Sequence, residues 1–166
     1  MNRPLLRAWA PALLWLALIV CESTSFFSAE RTGGWLAAII TFLFGSLSPE
    51  RFLVVHVVVR KLGHLFLYSV LSFLCFRAWW ATLHAKSGEP LSWRAMWSHW
   101  SLRAAAVALL MTVLVAAADE WHQTLLPGRT GSIHDVLLDT MAGIFAQLAL
   151  LSASARPPAR QQQHEG

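Results

Sequence analysis

Residues 104–123 read AAAVALLMTVLVAAADEWHQ, an apolar run broken only by Thr112 that ends in Asp119, Glu120, Trp121, His122 and Gln123. The apolar part has the character of a membrane-spanning helix, whose backbone hydrogen bonds are satisfied internally. Ionisable and hydrogen-bonding groups at the end of such a helix are costly to place, and in membrane spans they mark functional positions. The stretch sets two expectations: a helical membrane fold and a polar site at one end of it.

The rest of the chain agrees with the first expectation. Only 13% of its 166 residues are charged, where a soluble chain carries about a quarter. Apolar runs near spanning length cover Leu62 to Leu83, Leu102 to Ala118 and Ile133 to Ala153. A shorter run, Leu5 to Cys21, has Arg7 near its start, where a long side chain can snorkel to the interface. A basic start before an apolar run is also the signal-peptide pattern. Cys21-Glu22-Ser23-Thr24 offers no small-x-small cleavage site after Val20, so this run is read as a retained span. The expected fold is all-α, an integral membrane bundle of four transmembrane helices plus one short interfacial or re-entrant helix over about 35–47.

Thr32-Gly33-Gly34 is expected to break the chain before that short helix. Ser48-Pro49-Glu50 starts the next one, with an N-cap serine, proline at the first helical position and an acid in the first turn. The helix signal runs from there past Lys61 into the second span, with Gly63 as the point where it can bend. His84 to His99 reads as a polar loop, and Trp79, Trp80, Trp93, Trp97 and Trp100 read as an aromatic belt. The stretch after Ala155, rich in Arg, Pro and Gln, reads as a disordered cytoplasmic tail. The chain thus divides into a transmembrane domain, 1–155, and a tail, 156–166. Cys21 and Cys75 fall on different spans and are read as unpaired small apolar residues.

The net charge of +4 is read as topology. No basic stripe interleaved with aromatics points to nucleic acid. With both termini inside, Arg3, Arg7, Arg77, Lys86, Arg94, Arg103, Arg156 and Arg160 face the cytoplasm beside only Glu89 and Glu165. That is the direction of the positive-inside rule. The start of span two, the end of span three and the start of span four then share the outer face.

Lys61-x-x-His64-x-x-x-Tyr68 sets a cation, an imidazole and a phenol on one helix face. Lys61 serves equally as an interfacial anchor, and His64 as a helix–helix hydrogen-bond partner. Asp119 aligns with His122 and Gln123, as a carboxylate orienting a histidine would, while Glu120 points to a different face. Pro127-Gly128-Arg129 reads as a turn presenting an arginine, suited to phosphate or carboxylate or to neutralising Asp119 or Glu120. Ser132-x-x-Asp135 has capping-box spacing. Asp139, one turn deeper, is not explained by a cap and needs a partner. His64, His122 and the carboxylates are ligand types of a zinc centre, but the spacing is no zinc signature, so no metal is assigned. The cofactor is left unknown.

Taken together, Lys61-x-x-His64-x-x-x-Tyr68, Asp119-Glu120-x-His122-Gln123, Arg129, Ser132, Asp135 and Gly143 resemble the VanZ-like family of small bacterial membrane proteins. The chain departs from the family at Asp139, where asparagine is usual, and at Gln147, where a second glycine is frequent. The resemblance implies a protein of the bacterial cell envelope, in a family whose namesake is associated with resistance to teicoplanin.

Three readings of function follow. The site processes a lipid-linked phosphate or similar envelope amphiphile, with His64, Asp119, Glu120 and His122 as acid–base groups. Lys61, Tyr68, Gln123, Arg129, Asp135 and Asp139 then hold the substrate. Alternatively the same residues bind a lipid, an antibiotic or a partner without chemistry, or they serve an intramembrane protease. Membrane lipids or lipid-linked envelope precursors are the expected partners, nucleic acid is not, and the oligomeric state is left open. The expected location is the bacterial inner membrane, multi-pass, with both termini cytoplasmic and the polar cluster on the far side.

Overall fold

The computed structural model describes residues 3–85, 93–127 and 131–155, and among them there is no strand. The helices are α1 (Arg3–Glu22), α2 (Ala29–Phe44), α3 (Pro49–His84), α4 (Trp93–Ser98), α5 (Leu102–Thr124) and α6 (Ile133–Ser154), with a 3-10 turn at Ser25–Phe27. α1, α3, α5 and α6 are long and apolar enough to cross a membrane, so the expected four spans are present. Leu14, Phe66, Leu114, Trp121, Met141 and Phe145 point outward, as lipid-facing side chains do.

α3 is the centre, packed by α1, α5 and α6. The buried face of α5 is Ala104, Ala108, Thr112 and Ala116, small residues one turn apart. Without large side chains between them, helix backbones approach closely, which is how membrane helices gain packing energy. Side-chain contacts fix the directions. Trp9 Nε1 donates to Thr82 Oγ1 and Trp15 Nε1 to the Leu67 carbonyl, so α1 runs antiparallel to α3. Ser69 and Ser72 donate to the carbonyls of Ala142 and Gly143, and α6 runs parallel to α3.

Ser48 and Pro49 start α3 as expected, although the Ser48 side chain makes no cap. At 36 residues this helix is about 54 Å long, well beyond the roughly 30 Å hydrocarbon core. Its first three turns therefore extend past the bundle and pack on α2. There the structure corrects the glycine break: α2 runs from Ala29 through Thr32-Gly33-Gly34 instead of starting near 35. Gly33 admits His56 of α3, whose Cε1 lies 3.3 Å from where a Cβ would stand. Gly45, at φ +82°, ends α2 at Phe44, short of the expected 47.

The tryptophans also differ from expectation. Trp80 is 3% exposed and donates to the His99 carbonyl. Trp100 stacks on Phe76, and Trp79 donates to Met111 Sδ at 2.9 Å. With α4 inside the supposed loop, Trp79, Trp80 and Trp100 pack within that end of the bundle, while Trp97 is exposed as a belt residue would be. The tail 156–166 and Arg129 lie outside the described residues. Cys21 and Cys75 are free.

Candidate functional site

Parallel packing of α3 and α6 turns two separate sequence patterns into one ladder. On α3, Lys61, His64, Tyr68 and Ser72 share a face; on α6, Asp135, Asp139, Gly143 and Gln147 do. At the rim Lys61 Nζ meets Asp135 Oδ1 at 2.8 Å, with the side chains 48% and 32% exposed. One turn deeper His64 Nδ1 lies 3.3 Å from Asp139 Oδ2, and Asp139 is completely buried. Facing a carboxylate oxygen, Nδ1 is the donor. Deeper still, Gln147 Nε2 donates to the Ser72 hydroxyl at 2.8 Å and to its carbonyl at 3.1 Å.

α5 adds the third wall. Tyr68 donates to Asp119 Oδ2 at 3.0 Å, and Gln123, one turn along α5, donates to the same oxygen at 3.2 Å. The His64 and Tyr68 rings stack, with centroids 6.3 Å apart. Glu120 is buried too, and its Oε2 accepts the Ser132 backbone N–H at 2.7 Å. This contact ties the end of α5 to the start of α6. It also explains why Gly131 has no side chain, since a Cβ there would collide with the Glu120 carbonyl.

Two local expectations change. Ser132 sits at the N-cap of α6 but its side chain makes no cap, and Asp135 spends its charge on Lys61 instead. Asp119 was expected to orient His122, but it holds Tyr68 and Gln123, while His122 Nδ1 shares a 2.9 Å hydrogen bond with Ser23 Oγ. His122 is exposed and faces α1. It meets Asp119 only as part of the lining of a pocket of about 210 Å³ between α1 and α5, with Ser23 and Val115. Glu120, expected on another face, joins the centre: donor atoms of His64, Glu120 and Asp139 lie within 4.8 Å of one another.

The cluster is rich in negative charge for its burial. Asp119 Oδ1, Glu120 Oε1 and Asp139 Oδ1 are buried and, among the described residues, have no hydrogen-bond partner. Isolated carboxylates in such surroundings are strongly disfavoured unless a cation or a proton compensates them. Replacing Asp139 by asparagine, the residue the family resemblance leads one to expect, should therefore not unfold the protein. The amide oxygen can still accept from His64, and one uncompensated charge is gone. Thermal unfolding of the chelator-stripped protein in detergent should show equal or higher stability, by about 1 kcal/mol; a marked loss would mean that the carboxylate is compensated within the fold itself.

Sequence reasoning missed Ser69, Ser72, Thr112 and Ser23. Hydroxyls inside apolar runs are individually uninformative, because a helix satisfies them on its own carbonyls, as Thr112 does on Ala108. Sequence reasoning also missed a groove of about 690 Å³ on the lipid-facing side of α3 and α6, lined by Leu65, Phe66, Ser69, Met141, Phe145 and Leu148. Its lining begins at Leu65 on α3, next in sequence to His64, and at Met141 on α6, two residues after Asp139.

No curated protein and no solved structure shows significant similarity to the chain. The family model described as VanZ/LLP1 matches residues 8–153, which covers most of each of the four spans and the whole polar ladder. The chain is a multi-pass membrane protein that belongs to the VanZ/LLP1 family.

Proposed function

We propose that this protein binds an anionic amphiphile of the bacterial cell envelope, a lipid phosphate or lipid-linked precursor, at the polar end of the bundle. One observation carries the reading: a half-exposed lysine, Lys61, lies one helical turn before Leu65, the first lining residue on α3 of an apolar groove formed by α3 and α6. An acyl chain along Leu65, Phe66, Phe145 and Leu148 brings its head group to Lys61. There a phosphate competes with Asp135 for the ammonium. Arg129, placed close in sequence to Ser132, is a second candidate for the same charge. The excess of Lys and Arg near the termini supports an N-in, C-in orientation in the cytoplasmic membrane, with the site on the outer side. A role in glycopeptide resistance is an expectation from the family and is read out in cells as teicoplanin susceptibility.

Native mass spectrometry of the detergent-purified protein with phosphatidylglycerol tests this. Lys61→Ala should lower retained lipid roughly tenfold, the order of one charge-assisted contact of 1.5–3 kcal/mol. Leu148→Trp, which fills the groove, should lower it as well. Retention unchanged in both variants would refute the reading.

A further inference from the structure

His64, Glu120 and Asp139 come from three different helices, and each offers a metal-ligating atom within 4.8 Å of the other two. All three residues are buried, at 8%, 4% and 0% exposure. Among the described residues, Glu120 Oε1 and Asp139 Oδ1 have no hydrogen-bond partner. We propose that these three side chains form a binding site for one divalent transition-metal ion, of the Zn²⁺ or Mn²⁺ type. The site is separate from the lipid reading and stands or falls without it.

The geometry suits such an ion. A tetrahedral cation with ligand bonds near 2.0–2.1 Å holds neighbouring donors about 3.3 Å apart. His64 Nδ1 and Asp139 Oδ2 already stand 3.3 Å apart, so a cation can take the place of the proton they share. Glu120 then has to close in by at most about 1.5 Å, a side-chain movement at the end of α5. One imidazole with two carboxylates favours zinc or manganese over magnesium, which keeps to oxygen ligands and its own water.

The charge balance points the same way. Among the described residues, Lys61 is taken by Asp135 at the exposed rim, while the buried carboxylates of Glu120 and Asp139 share one histidine. A dication supplies the missing charge and gives the orphaned Glu120 Oε1 a partner. Three protein ligands leave a fourth position open for water or an anionic oxygen. Outer contacts are in place: the Ser132 N–H holds Glu120, and Tyr68 stacks on the His64 ring.

The experiment uses the full chain, purified in detergent, stripped with chelator and titrated separately with Zn²⁺, Mn²⁺ and Mg²⁺. Metal content after desalting and the unfolding midpoint are both read. Wild type should retain one Zn²⁺ or Mn²⁺ per chain and unfold at higher temperature with the metal. His64→Ala, Glu120→Gln and Asp139→Asn should each weaken retention at least tenfold and abolish the metal-dependent rise, whereas His134→Ala, at an exposed histidine on the same helix, should do neither. Asp139→Asn keeps the test decisive, because that variant is expected to fold. No retained metal in wild type, retention of magnesium alone, or full retention in Asp139→Asn would each overturn the site.

Discussion

Gly143→Leu is expected to destabilise the purified protein by about 3 kcal/mol or more, the upper range for forcing bulk into a packed interior. A Cβ at Gly143 would already stand 3.0 Å from Thr112 Cγ2, 3.3 Å from Leu109 Cδ1 and 3.6 Å from Ser72 Oγ. Thr112 and Ser72 are completely buried and have room for no more than small shifts. The remaining leucine carbons have nowhere to go unless α6 backs away from α3 and α5. That movement would break the Ser72–Gly143 bond and pull Gln147 off Ser72. Gly143→Ala is the control. The methyl needs only a few tenths of an ångström, and alanine gains up to about 1 kcal/mol of helix propensity over glycine, so its midpoint should barely move. A leucine variant that unfolds like wild type would mean that the three helices do not meet at this glycine.

Asp119→Ala should cost nearly as much, through hydrogen bonding and not through bulk. Asp119 Oδ2 accepts from both Tyr68 and Gln123, at 1% and 4% exposure. Each stranded donor costs about 1–3 kcal/mol in a buried site. The loss should therefore be roughly 2–6 kcal/mol, visible as a lower unfolding midpoint in detergent. A double-mutant cycle identifies the cause. Tyr68→Phe destabilises the wild type, but in the Asp119→Ala background its cost should vanish, because the donor it removes is already stranded. Equal costs in both backgrounds would place the Tyr68 hydroxyl with another partner. The outcome bears on function too. Asp119 holds α5 to α3 and so positions Glu120, its neighbour in sequence, over His64 and Asp139.

How much of this was legible before the structure differs from residue to residue. Lys61, His64 and Tyr68 could be placed on one face because an α-helix repeats every 3.6 residues, whatever surrounds it. The spans were legible for an equally local reason, since a backbone in lipid must satisfy its hydrogen bonds within the helix. The glycine break failed because Gly33 serves a neighbour, His56, that lies beyond local reach. The pairing of Asp119 with His122 failed in the same way. Helical spacing brings the two near each other, but Tyr68 on α3 and Ser23 after α1 offer competing partners, and tertiary packing chose those.

The opening stretch, Ala104 to Gln123, divides along the same line. By itself the sequence determined that this is a helical membrane chain with its polar groups gathered at one end of the bundle, because apolar length and the cost of buried charge are local and additive. Only the tertiary structure decided which groups meet. Parallel packing of α3 on α6 sets Lys61 against Asp135 and His64 against Asp139. The antiparallel α5 sends Asp119 to Tyr68 and Glu120 to the His64–Asp139 pair. Register between helices rests on a few small residues at their crossings, Gly143 and the alanines of α5, and no pattern within a single helix specifies which neighbour they will admit.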